Sequence, residues 1–359
     1  METKTSEVMM NPLTSVQALR VGAIGVISAS ALFATFPNYA AAEDAKAALG
    51  RLAAPAETKT IEVDPSIAGY AKTAGVSGNL NSIGSDTLNN LMTLWSEKFQ
   101  GVYPNVKVQV EGKGSGTAPP AIIAGTAQIG PMSREMKSSE IDEFKKKFGY
   151  APTKVRVAVD ALGVFVHKDN PIAGMSMEQI DAIFSKTRKL GATAEITTWG
   201  QVGLTGEWAS KPMSLYGRNS ASGTYGFFKE HALGNGDFKD TVKEQPGSAS
   251  VVQGVTGDKF AIGYSGIGYK TSGVRAIALK GEEAEGMMEG TPENSYSGDY
   301  PLSRFLYVYV NRAPGKPLDP LVGEFLKLVL SKEGQEVVVK DGYYPLTAEM
   351  VQEELAQLK

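Results

Sequence analysis

The chain of 359 residues is 42% hydrophobic and 21% charged, which supplies enough apolar material for two cored domains. A formal net charge of −3 excludes the broad basic surface of a nucleic-acid binder, so no nucleic-acid partner is expected. The absence of cysteine excludes thiol catalysis, disulfides and thiolate metal sites, and two histidines cannot build a histidine-rich centre, so neither metal nor cofactor is expected.

The N-terminus carries Arg20 ahead of an uncharged run, Val21 to Phe36, that Pro37-Asn38 interrupts. Ala40-Ala41-Ala42 then precedes Glu43-Asp44, a small-residue cleavage pattern. The apolar run is short of the roughly 20 residues a membrane span requires. Residues 1–42 are therefore expected to be a signal peptide cleaved near Ala42. Residues 43–76 have no sustained periodicity and are expected to form a flexible lead-in.

Regular structure is predicted from Gly78 onward. Leu88, Leu91, Met92, Trp95 and Phe99 share one face of a helix over 86–99, with Ser85 as its natural N-cap. Val106, Val108 and Val110 alternate with polar residues and predict a strand. A helix from Ser115 to Gly125 follows, its prolines near the start, and then a short strand at 129–132. Ser139 and Asp142 predict a capping box for a helix ending at Gly149. Val155 to Val159 and Gly163 to His167 read as two strands or one long crossing strand. Ser176 and Gln179 cap a further helix, and strands are predicted at 213–216, 261–264, 274–278 and 305–310. Helices are expected over 223–231, 320–330 and 332–340, and 281–300 reads as a polar connection. Strands alternating with helices indicate an α/β class.

The residues that carry chemistry are clustered in Arg218-Asn219-Ser220-Ala221-Ser222-Gly223-Thr224, an arginine ahead of a Ser-Gly-Thr helix start. A second copy, Ser115-Gly116-Thr117, lies about a hundred residues upstream. Helix N-termini offer unpaired N–H groups and the positive end of a dipole, and hydroxyls at the cap add donors. Glycine lets an oxyanion approach the backbone, and arginine supplies a planar fork that matches it. Ser85, Asp86 and Thr87 form a third helix start, and Ser133 and Arg134 stand at a strand end. Together these residues predict one small anion clamped between two lobes.

No Gly-x-Ser-x-Gly elbow, no serine followed three residues later by lysine, and no P-loop occurs in the chain. No catalytic residue is expected, and an enzyme is not.

On these motifs the chain resembles the phosphate-binding proteins of high-affinity phosphate ABC importers, from about Gly78 to Leu346. Arg218 to Thr224 is similar to that family's Arg-x-x-x-Ser-Gly-Thr loop. Gly84-Ser85-Asp86-Thr87, Lys113 to Thr117, Gln128 to Arg134, Ala261 to Tyr264, Ser331 to Gln335 and Gly342 to Leu346 support it. The resemblance implies a two-lobed, type II periplasmic-binding fold with two crossover strands at a hinge. Lobe 1 would span 77–163 and 302–359, and lobe 2 would span 164–301. It also implies a periplasmic monomer that binds inorganic phosphate and delivers it to a membrane permease. The alternatives are another oxyanion such as sulfate or molybdate in the same fold, or an exported phosphohydrolase. Many family members have an aspartate where this chain has Ser133, so Asp86 is the candidate for a relocated acceptor of the phosphate proton.

Overall fold

The computed structural model describes residues 61–358, so the signal-peptide expectation lies outside the described residues. The first strand, β1 (Gly78–Gly84), runs into a 3-10 turn at Asp86–Leu88 and then helix α1 (Asn89–Val102). The predicted apolar face is buried: Leu88, Leu91, Met92, Trp95 and Phe99 are all inaccessible to solvent. Trp95 adds direction to this packing, because its Nε1 donates to the Gly334 carbonyl at 2.8 Å. β2 (Val106–Gly112) leads to a 3-10 turn at Ser115–Thr117 and α2 (Ala118–Ala124), which ends on Gly125 at φ 78°. β3 (Ile129–Met132) and α3 (Ser138–Phe148) complete the first set. The capping box of α3 differs from the expected pair: Glu140, not Asp142, reaches back and accepts from the Lys137 N–H at 2.8 Å.

β4 (Thr153–His167) is one strand of 15 residues, which resolves the two runs into a single crossing element. It is followed by β5 (Gly174–Ser176) and α4 (Met177–Phe184), whose Ser176 and Gln179 form the expected reciprocal cap. The second set comprises β6 (Ser214–Arg218), α5 (Gly223–Ala232), β7 (Lys243–Gln245), α6 (Ser248–Gly257) and β8 (Ala261–Gly266). β9 (Val274–Ala276) and β10 (Ala278–Lys280) come next, and the polar connection holds a short helix, α7 (Pro292–Ser297). β11 (Ser303–Val310), α8 (Pro320–Val329), α9 (Lys332–Lys340) and α10 (Ala348–Gln357) close the chain.

One sheet links both lobes, in the order β2-β1-β3-β11-β4-β8-β6-β7, with β9 also paired to β4. β1 is parallel to β2 and β3, and β6 is parallel to β7 and β8. β11 and β4 are the antiparallel members that join the two halves. Both lobes thus repeat one topology, in which parallel strands aim their carboxyl ends at the cleft, where ligands collect in open α/β sheets. The two Ser-Gly-Thr starts are not equivalents within that repeat. Ser115 follows the edge strand β2, whereas Ser222 follows β6, which lies between β7 and β8.

β4 is buried almost throughout its length, as expected of a strand covered on both faces. Residues 61–76 form neither helix nor strand, yet the described part of the lead-in is pinned rather than loose. Ile67 is buried, and the Tyr70 hydroxyl donates to Glu324 on α8 at 2.7 Å. The Tyr70 N–H donates to Glu333 on α9 at 2.7 Å, and the Lys332 N–H to the Ala68 carbonyl at 2.9 Å. Hydrogen bonds to distant carboxylates replace the missing periodicity. No helix among the described residues is long and apolar enough to cross a membrane.

Candidate functional site

Five hydroxyls converge where the carboxyl ends of the two lobes meet. Ser85, ending β1, donates to Ser133 Oγ at 3.0 Å. Ser115 Oγ lies 3.3 Å from Ser133 Oγ and accepts the Ser133 N–H at 3.0 Å. From the second lobe, Thr224 Oγ1 lies 2.8 Å from Thr87 Oγ1 and 3.5 Å from Ser133 Oγ. All five residues are buried, with exposures of 0–2%. Among the described residues, every bond between these hydroxyls joins loops separated by at least 18 positions, so the cluster is wholly a product of folding.

α5 opens directly onto this cluster. Ser222 caps it, its Oγ accepting from the N–H groups of Thr224 and Tyr225 at 3.1 and 3.3 Å. That cap leaves the Gly223 N–H, at the positive end of the helix dipole, outside its hydrogen bonds. Glycine is required here for space: a Cβ at 223 would stand 2.2 Å from Ser115 Oγ and 2.7 Å from Ser133 Oγ. The lobes also touch through backbone, since the Gly116 N–H donates to the Ala221 carbonyl at 3.0 Å.

Arg218, 1% exposed, ends β6 beside the cluster. Its Nη1 donates to Ser248 Oγ at 2.7 Å and its Nη2 to the Pro246 carbonyl at 3.2 Å. Nε is buried with no hydrogen-bond partner among the described residues, a donor left for something further. Burial pulls the guanidinium below its ordinary pKa, and the nearby Asp86 carboxylate opposes that shift.

Among the described residues, the Asp86 carboxylate makes no hydrogen bond to the cluster hydroxyls. Its Oδ2 accepts the Ser248 N–H at the start of α6 at 2.7 Å and lies 3.2 Å from Arg218 Nη2. The Asp86 carbonyl accepts the Tyr269 hydroxyl at 3.0 Å. All three partners belong to the second lobe, so Asp86 fastens the lobes together instead of offering a free carboxylate to the cluster.

Two other expected residues have their polar groups engaged by other partners. Arg134 forms a bidentate pair with Glu140, at 2.8 and 2.7 Å, and its Nη1 also donates to the Glu135 carbonyl. A planar fork so well matched by a carboxylate is engaged by Glu140, while the side chain itself lies against α5, where a Cβ at Gly226 would stand 3.3 Å from Arg134 Cδ. Thr117 turns its hydroxyl onto the Gly114 carbonyl at 2.8 Å and closes its own turn.

The reading of the sequence missed Arg304 and Asp160. They are register partners across β11 and β4, and both are buried. Arg304 Nε and Nη2 donate to Asp160 Oδ2 at 2.9 and 2.7 Å, and Nη2 also reaches Thr224 Oγ1 at 3.0 Å. The available signal was a charged residue inside each of two strongly apolar strands.

Comparison with known proteins bears on the family and the fold. The family model described as "PBP superfamily domain" matches residues 69–333. The Phosphate-binding protein PstS of Pseudomonas aeruginosa strain PAO1 is 60% identical over 296 residues, covering 82% of this chain and 92% of the relative. A crystal structure from Clostridium perfringens that contains bound phosphate superposes with a TM-score of 0.64 at 24% identity, covering 75% of this chain and all of the other. An ABC-type phosphate transport receptor from Vibrio cholerae gives 0.58 at 24% identity over 74% of this chain. These two structures bear on the fold alone. Two lobes closing on a cleft at their carboxyl strand ends define a binding protein of the PBP superfamily. Within it, the chain belongs to the PstS family of phosphate-binding proteins.

Proposed function

We propose that the hydroxyl cluster is the binding site for inorganic phosphate, and that the protein carries this anion to the permease of an ABC importer. The observation that carries the reading is the meeting of Ser85, Ser115, Ser133 and Thr224 hydroxyls with the Gly223 helix start. Buried hydroxyls, a helix N-terminus and an arginine whose Nε has no partner among the described residues supply the donors that a desolvated dianion needs. Hydrogen bonds to a charged partner contribute about 1.5–3 kcal/mol each, and micromolar affinity needs only about 8 kcal/mol net. The first lobe supplies Ser85, Thr87, Ser115 and Ser133, and the second supplies Arg218, Ser222, Gly223 and Thr224, while the Gly116 N–H is committed to the Ala221 carbonyl. An anion between them favours the closed form, which a permease can read.

The lobes divide near residues 163/164 and 301/302, and the protein acts as an exported, periplasmic monomer that binds without catalysing. One observation favours a second reading. Neither Asp86 nor Asp160 hydrogen-bonds to a cluster hydroxyl, so the proton of phosphate would fall to a hydroxyl oxygen. A serine oxygen both donates and accepts, and would also tolerate an unprotonated tetrahedral oxyanion such as sulfate or molybdate. Calorimetric titration with phosphate, then with sulfate and molybdate as competitors, decides between them. Phosphate binding that a large excess of sulfate leaves unchanged supports the first reading; no heat with phosphate sinks it.

A further inference from the structure

Arg304 makes contacts that a plain counter-ion to Asp160 would not need. Its side chain is 2% exposed and that of Asp160 is fully buried. Asp160 is saturated from two sides: Oδ2 takes two bonds from Arg304, and Oδ1 accepts the Ile267 N–H at 2.9 Å. The far edge of the guanidinium reaches the hydroxyl cluster from behind. Nη1 donates to the Ser133 carbonyl at 2.9 Å in the first lobe, and Nη2 to Thr224 Oγ1 at 3.0 Å in the second. Its plane also lies 5.2 Å over the Phe227 ring of α5.

A hydroxyl that accepts from a guanidinium keeps its single proton for donation elsewhere. We propose that Arg304 is a positioning residue of the oxyanion site: it turns the proton of the Thr224 hydroxyl away from the guanidinium and toward the cluster and holds the Ser133 loop beside it, while Asp160 keeps its fork in place. The inference rests on the phosphate reading above. Arginine is suited to the task because a rigid fork can serve Asp160, Ser133 and Thr224 at once, which the point charge of lysine cannot.

The test is a double-mutant cycle between position 304 and Thr224, read by calorimetry with inorganic phosphate alongside thermal melting. Thr224→Val is expected to weaken binding about tenfold or more, the loss of one bond to a charged partner. Arg304→Lys keeps a charge beside Asp160, so it should melt close to the parent yet bind phosphate at least about fivefold more weakly. Thr224→Val added to Arg304→Lys should then cost clearly less than it does alone, because the hydroxyl has already lost its orientation. Arg304→Met repeats the cycle without the charge, and where that variant fails to fold the lysine cycle stands by itself. Strictly additive losses, or full recovery of affinity in Arg304→Lys, would overturn the positioning role and leave phosphate binding intact. A parent protein that does not bind phosphate overturns both readings.

Discussion

Asp86 and Arg218 approach each other across the cleft, carboxylate Oδ2 to guanidinium Nη2, at 3.2 Å, each from a different lobe. The same oxygen accepts the Ser248 N–H at the start of α6, so one carboxylate is shared by a cation and a helix dipole. The closed form therefore has an attractive contact of its own, distinct from whatever the hydroxyl cluster holds.

Removal of that contact should open the protein. Asp86→Ala is expected to enlarge the ligand-free radius of gyration in small-angle scattering and to weaken phosphate binding about tenfold, the usual scale of one charge-assisted bond. Scattering curves that superpose on those of the parent would rule out a role for Asp86 in closure.

Arg218→Ala deletes a buried guanidinium whose Nε has no partner among the described residues. Phosphate affinity should fall about tenfold or more, the loss of one charged hydrogen bond of about 1.5–3 kcal/mol. Retention of parental affinity in calorimetry would remove Arg218 from the site. Circular dichroism should show a retained fold, since β6 pairs with β7 and β8 through its backbone.

Gly223→Ala tests the steric side of the cluster. The added methyl carbon would stand 2.2 Å from Ser115 Oγ, in the opposite lobe, so the clash arises only on closure. Overpacking of this kind costs about 1–3 kcal/mol, which predicts a loss of affinity of roughly tenfold to a hundredfold. The melting temperature without ligand should not fall, because alanine suits a helix start at least as well as glycine. Unchanged affinity would mean that the lobes never come this close.

Asp341 sits after α9 and accepts a hydrogen bond from Asn90. Burial raises its pKa from 3.8 to about 6, with the Asn90 bond opposing the rise. From about pH 4 to 6 the folded protein holds a proton that the unfolded chain has released, so this residue's contribution to stability declines as pH rises through that window and is least favourable above it. Asp341→Asn should accordingly stabilise the protein at pH 7 and change little below pH 4. Urea denaturation at the two pH values checks this, and an equal effect at both would contradict it.

Tyr70 anchors the segment that precedes the first strand. Tyr70→Phe deletes a hydroxyl that donates to Glu324 and pairs with the Tyr103 hydroxyl, and it should destabilise the fold by about 1–3 kcal/mol. Denaturant midpoints measure it. An unaltered midpoint would return residues 61–76 to the status of a loose leader.

The parts of this protein that were legible in its residues are the local ones. The face of α1, the Ser176–Gln179 cap, the stop at Gly125 and the Ser222 start of α5 each depend on neighbours within a turn, so spacing alone reveals them. The hydroxyls of the cluster were legible for the same reason, since Ser85, Ser115, Ser133 and Thr224 stand at strand ends or helix starts. What each side chain faces was not. Arg134 has a carboxylate six positions away that claims it, and Asp86 meets its partners 132 and 162 positions downstream. Arg304 and Asp160 lie 144 positions apart and become neighbours only through the antiparallel register of β11 on β4. Backbone propensity and capping act over a few residues and are written in order along the chain. Ion pairing and closure act through space, and only the packed sheet decides which charges share it.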